Sequence, residues 1–131
     1  MESFEYKQLQ PMTTKEIAIT FLQHAGTGKV EAAFEQFVAF DFIHHNQYFK
    51  GSREALKNAM QEAHHASPNK SIEIKHSYSD GDTVITHSLV IKEAMEIAVV
   101  HIFRFQNTKI VELWDLGQAI SKDSPNENGL F

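Results

Sequence analysis

At Ser71 the spacing of apolar residues changes from about 3.6 to 2, and it stays at 2 almost to the end of the chain. Before that point Ile17, Ala18, Phe21 and Leu22 form one helical stripe. Ala33, Phe34 and Phe37 form a second, and Leu56, Ala59, Met60 and Ala63 a third. After it, Ile72, Ile74, His76 and Tyr78 alternate with Glu73, Lys75, Ser77 and Ser79. Helices first and strands afterwards exclude an alternating βαβ sheet. They predict an α+β domain in which three N-terminal helices pack on one face of a mainly antiparallel sheet.

Local signals place the elements. Thr13 with Glu16 is a capping box, and Gly26 and Gly28 stop the first helix. A second runs from near Val30 to about Val38, and Ser52 caps the third, which Ser67-Pro68-Asn69 ends. Between them, Asp41–Asn46 reads as a short strand or extended segment, followed by a turn at Phe49–Gly51. Four strands follow as a meander, with turns at Asp80-Gly81, Lys92–Ala94 and Asn107-Thr108. Residues 1–11 read as a frayed leader ending at Pro11, residues 12–131 as a single domain, and 119–131 as its polar tail.

The strand from Met95 to Phe105 is apolar on both sides. Met95, Ile97, Val99, Phe103 and Phe105 point one way, and Ala98, Val100 and Ile102 the other. A solvated second face would carry polar residues there, so the pattern predicts a homodimer burying the outer sheet face. Other partners are constrained by composition. With 131 residues and a net charge of -5, the chain has no basic cluster for nucleic acid. No apolar run approaches the roughly 20 residues of a membrane span. The N-terminus has no signal-peptide pattern, so a cytoplasmic location is expected. The absence of cysteine removes thiolate metal sites and cysteine nucleophiles.

The chemistry-bearing candidates lie on the strands. If the Lys92–Ala94 turn closes near residue 93, His87 faces Val99 and His101 faces Ile85. The two histidines then share an apolar face with Phe103, roughly 7–8 Å apart. There a neutral imidazole can act as base, donor to a carbonyl, or metal ligand. Asp115 follows Trp114 amid Ile110, Val111, Leu113 and Leu116, where burial would raise its affinity for a proton. A two-residue loop at Asn107-Thr108 sets Trp114 opposite His101 and turns Asp115 away, toward an ion pair with Arg104. A three-residue loop with a bulge sets Asp115 opposite His101. His44-His45-Asn46 offers donors at a pocket rim, or is an exposed loop. His24, His64, His65 and His76 need no function; the pair near the third helix's C-terminus suits the helix dipole. No metal-binding motif is present, and His87 with His101 supplies two ligands rather than three, so no metal and no cofactor are expected.

The segment His101–Asp115 resembles the SnoaL-like branch of the nuclear transport factor 2-like superfamily. The helix-helix-strand-helix-meander order, His45-Asn46 before Gly51, and the Asn126–Phe131 tail carry the same resemblance. It implies a cone-shaped α+β barrel around an apolar pocket for a small hydrophobic ligand, in a fold that is usually dimeric. Members include polyketide cyclases that close a ring by aldol condensation without metal or cofactor. By that resemblance Asp115 would take the alpha proton of a hydrophobic carbonyl compound, and His101, His87 or His45 would polarise its carbonyl. His45, Asn46, Trp114, Arg104 and Phe103 are expected to line the substrate site. The chain departs from the family pattern at His101, where the family carries Asp, and at Leu113, where it carries His. The alternative reading is a non-catalytic ligand-binding or dimerisation module of the same fold.

Overall fold

In the computed structural model, which describes residues 11–131, three helices pack on one face of a five-stranded sheet. The expected leader falls outside the described residues except for Pro11. Helix α1 (Thr14–Gly26) starts at the capping box: the Thr13 hydroxyl accepts from Glu16 N–H, and the Glu16 carboxylate accepts from Thr13 N–H. Its buried stripe is Ile17, Ala18, Phe21, Leu22 and Ala25. Gly28 ends the turn after it at φ +104°, a left-handed conformation that an L side chain rarely adopts. The His64 ring lies where a Cβ on Gly28 would sit.

Helix α2 (Val30–Phe37) buries Val30, Ala33, Phe34 and Phe37 and passes without a loop into β1 (Val38–His44). Helix α3 (Arg53–Ala66) is capped by the Ser52 hydroxyl, which accepts from Ala55 N–H. The expected third stripe is only partly buried. Leu56 is fully enclosed and Met60 packs against the core, but Ala63 is exposed. Among the strands α3 leans mainly on β1, with α2 and α1 beside it, so its second half meets little apolar surface.

The strands β2 (Asn69–Asp80), β3 (Thr83–Lys92), β4 (Glu96–Gln106) and β5 (Lys109–Ala119) form the expected meander. Strand β1 joins it as a fifth member, parallel to β5, giving the order β1-β5-β4-β3-β2. The sheet keeps two edges, β1 and β2, so it is open rather than the closed barrel expected from the resemblance. On its inner face Phe103, Ile110 and Val84 pack under Phe21, Phe34 and Val30 with essentially no exposure.

Two irregularities decide which side chains face inward. In β2 the pairing shifts between Ile74 and His76, so Ile74 lies opposite Ser88 but His76 lies opposite His87. The uniform alternation expected from Ile72 to Tyr78 is therefore broken at Lys75. In β5 the pairing shifts between Arg104↔Glu112 and Phe105↔Ile110, which leaves Val111 as an extra residue.

Candidate active site

The β5 bulge settles where Asp115 points. The Asn107-Thr108 turn has two residues, with Gln106 paired to Lys109 and Asn107 at φ 58°. Such a turn alone would put Trp114 opposite His101. The extra residue at Val111 moves the register by one, so Asp115 lies directly across from His101, and Trp114 across from Ile102 on the outer face. Asp115 Oδ1 stands 3.6 Å from His101 Nε2.

The loop after β1 supplies a third member. Asn46 Nδ2 donates to Asp115 Oδ2 at 2.9 Å, and Asn46 Oδ1 accepts from Tyr48 N–H at 2.9 Å. Asn46 is itself held by His44. The His44 ring is buried against Phe42; Nε2–H donates to the Lys50 carbonyl at 2.6 Å and Nδ1 accepts from Asn46 N–H at 3.1 Å. Both partners require the Nε2–H tautomer. Asp115 is thus not sunk among the apolar residues that flank it in sequence. Its side chain is 27% exposed, enough for a ligand to reach it, and one oxygen is fixed by an amide.

Burial drives the His101 imidazole below its ordinary pKa, and the nearby Asp115 charge offsets part of that shift. The linkage has a definite sign. The unfolded chain binds a proton on this ring at about pH 6.5, while the folded chain refuses it until lower pH. The contribution of His101 is therefore complete above about pH 6.5 and is lost as pH falls through the window below it. The slope from this one proton is at most about 1.4 kcal/mol per pH unit. Urea unfolding of wild type and His101→Leu at about pH 7.5 and about pH 5 should show a smaller acid loss in the variant. Equal losses would assign the acid sensitivity to other groups.

Several expected site residues lie elsewhere. His87 pairs with Val100 and His101 with Thr86, so the two histidines occupy opposite faces. The β3–β4 turn is centred between Glu93 and Ala94, with Lys92 N–H donating to the Met95 carbonyl, rather than on residue 93. One residue of displacement exchanges the faces. On the outer side the His87 ring lies tilted against His76, with ring centroids 5.7 Å apart, and against Phe131 at 4.9 Å. His45 is also outside the site. Its ring lies parallel to Trp114 at 4.8 Å, and its Nε2 contacts Glu112 at 2.6 Å. Arg104, expected to pair with Asp115, donates to Glu112 at 2.9 Å instead. Hydrogen bonds from His45 and Arg104 hold the Glu112 carboxyl below its usual range. Phe103 does face inward but is fully buried, so it forms the floor beneath His101 rather than a contact surface.

His101, Asp115 and Asn46 are brought together; His87, His45, Trp114 and Arg104 are not. His44, expected as a rim donor or an exposed loop residue, is instead buried and supports Asn46 through its contact with the Lys50 carbonyl. The sequence reading passed over Thr86 and Ser88, hydroxyl residues whose burial follows from the corrected register. Among the described residues no group of three or more His, Asp or Glu side chains converges on one point, and no helix is long and apolar enough to cross a membrane.

The fold recurs in solved structures of low sequence identity. An NTF2-like protein of unknown function from Cytophaga hutchinsonii superimposes with a TM-score of 0.69 at 14% identity, covering 84% of this chain and 94% of that one. IdmH, a proposed polyketide cyclase from Streptomyces antibioticus, gives 0.68 at 15% identity, covering 82% and 93%. AclR, a proposed hydroxylase from Streptomyces galilaeus, gives 0.68 at 17% identity, covering 80% and 78%. A comparison with curated proteins finds no match. The family model of the SnoaL-like domain matches residues 18–113, from within α1 to the middle of β5. By that match the chain belongs to the SnoaL-like domain family, and its α+β fold is the one seen in NTF2-like proteins.

Proposed function

We propose that the protein is a general acid/base enzyme acting on a small hydrophobic carbonyl compound, by aldol-type cyclisation or isomerisation. The observation that carries this reading is the placement of Asp115 opposite His101 with Asn46 fixing its second oxygen. In the proposed reaction the Asp115 carboxylate removes a proton from the carbon alpha to the carbonyl. The neutral His101 ring donates a hydrogen bond to the oxygen as it becomes an enolate. Asn46 keeps the carboxylate oriented, so the reacting atoms meet without a search over rotamers. Pairing a fixed base with a donor to the developing oxyanion is what enolisation demands. The proposed role of IdmH as a polyketide cyclase on the same fold supports a carbonyl-bearing substrate.

Deuterium wash-in at the alpha carbon of 4-phenyl-2-butanone, followed by NMR, tests the proton-transfer step directly. Wild type should exceed buffer, and Asp115→Asn should lose at least about tenfold, a barrier change near 1.4 kcal/mol. Exchange that is the same in both proteins would leave the fold as a binding module.

The same reading has two copies meeting through the outer sheet face. Leu116 is 58% exposed there, with Ile85 and Trp114 beside it, while Leu130 and Phe131 of the chain's own tail lie over the neighbouring part around His87. Sedimentation velocity should show a species of about twice the chain mass, dissociated by Leu116→Asp. A monomer at high concentration would overturn this arrangement.

A further inference from the structure

Lys75 is the extra residue of the irregularity in β2, and its effect is to bring His76 directly across from His87. Unbroken alternation from the Ile74–Ser88 pair would set Lys75 there instead and turn His76 to the other face. Two imidazoles therefore stand side by side on the outer face, with ring centroids 5.7 Å apart and planes inclined by 37°. His76 is exposed and His87 half-buried, so solvent reaches both. Neither ring is engaged by an acid. Among the described residues the histidines that pair with carboxylates are His45 and His101. Glu73, on the same face of β2, pairs with Lys75 at 3.7 Å, and Lys75 lies 5.9 Å from the centre of the Phe131 ring. Phe131 itself covers one side of His87 at 4.9 Å.

An imidazole nitrogen binds zinc at about 2.0–2.1 Å, and the ring centre lies roughly 1.1 Å further out. Two rings at a tetrahedral angle around one ion then have centres roughly 5.2 Å apart. The observed 5.7 Å has to close by only roughly 0.5 Å, a matter of side-chain rotation. We propose that His76 and His87 form a binding site for one divalent transition ion, zinc or copper, on the outer face of the sheet. Imidazole selects such ions over magnesium or calcium, which prefer oxygen ligands. With two protein ligands the ion keeps positions for water or a ligand atom, so the site is open, unlike a structural centre closed by four side chains. The ion also ties β2, an edge strand, to β3 at the point where their pairing is interrupted. Counting His87 with His101 led to the expectation of no metal, but the observed register gives His87 a different partner. The pair lies on the opposite face from His101 and Asp115, and it stands whether or not those residues are catalytic.

Calorimetric titration of the untagged full chain with zinc chloride at about pH 7.5, where an ordinary imidazole is mostly neutral, should give one ion per chain. His76→Gln and His87→Gln should each weaken binding at least about tenfold, or about 1.4 kcal/mol. The double variant His64→Gln/His65→Gln should bind as wild type does, since those rings lie at the end of α3 on the helix side of the sheet. A measurement on wild type alone guards against variants that fold poorly. In NMR spectra, substoichiometric copper should broaden the ring protons of His76 and His87 before those of the other histidines. Absence of binding up to about 0.1 mM zinc, affinity unchanged in either single variant, or affinity lost with His64 and His65 would each overturn the site. Broadening spread evenly over the histidines would do the same, leaving an adventitious ion only.

Discussion

Phe34→Ala is expected to lower the free energy of unfolding by about 3–5 kcal/mol, a large part of the roughly 5–15 kcal/mol that holds a domain of this size. The Phe34 ring has no exposed surface. It meets Phe21 of α1 edge-on at 5.5 Å and Phe42 of β1 at 6.2 Å. From α3, the Arg53 guanidinium sits 5.5 Å over the ring and donates to the Phe34 carbonyl at 3.0 Å. Four elements therefore converge on one side chain. Helix α3 has few other anchors, since Leu56 is its one fully buried residue. Truncation to Ala leaves a void that stiff neighbours cannot fill, because Phe21 is pinned on its other side by Phe103 at 6.3 Å. Urea unfolding at 25 °C measures the loss. A value below about 1.5 kcal/mol would mean that the helix layer collapses onto the gap and that Phe34 does not organise it.

The helices could be read from sequence because their signals are local. Thr13 with Glu16, and Ser52 with the apolar spacing that follows, act within one or two turns, and both caps are present. The meander was equally legible, because turn residues and alternation act over a few positions. What escaped was register. One residue in the β3–β4 turn moved His87 to the outer face, and one extra residue at Val111 brought Asp115 inward. Neither leaves a mark on composition or period, since both faces of these strands are apolar and a slip exchanges one acceptable pattern for another. The parallel pairing of β1 with β5 was hidden for a different reason. It joins residues such as His44 and Leu113 that no local signal connects. The site inherits that difficulty, because Asn46 reaches Asp115 only through this pairing.

That dependence makes His44→Phe the sharpest perturbation of the site from outside it. Phe preserves the ring and its packing against Phe42, whose centroid lies 6.3 Å away, but it offers neither nitrogen. The Lys50 carbonyl loses a donor and the Asn46 N–H loses an acceptor. The pair should cost about 1–3 kcal/mol, less than two fully buried losses because both hydrogen bonds are only part-buried. The second effect falls on Asp115. With its backbone no longer tied to His44, Asn46 loses the geometry that sets its amide 2.9 Å from the carboxylate. Deuterium exchange should then fall to the level of Asn46→Ala, which removes the same amide while leaving His44 bonded to Lys50. In Asn46→Ala the stability loss should stay below about 1 kcal/mol. Equal exchange loss with unequal stability loss would identify His44 as a residue that acts through Asn46. If His44→Phe lost stability but kept wild-type exchange, the loop would hold its shape without the imidazole, and the orientation of Asp115 would have to come from β5 alone.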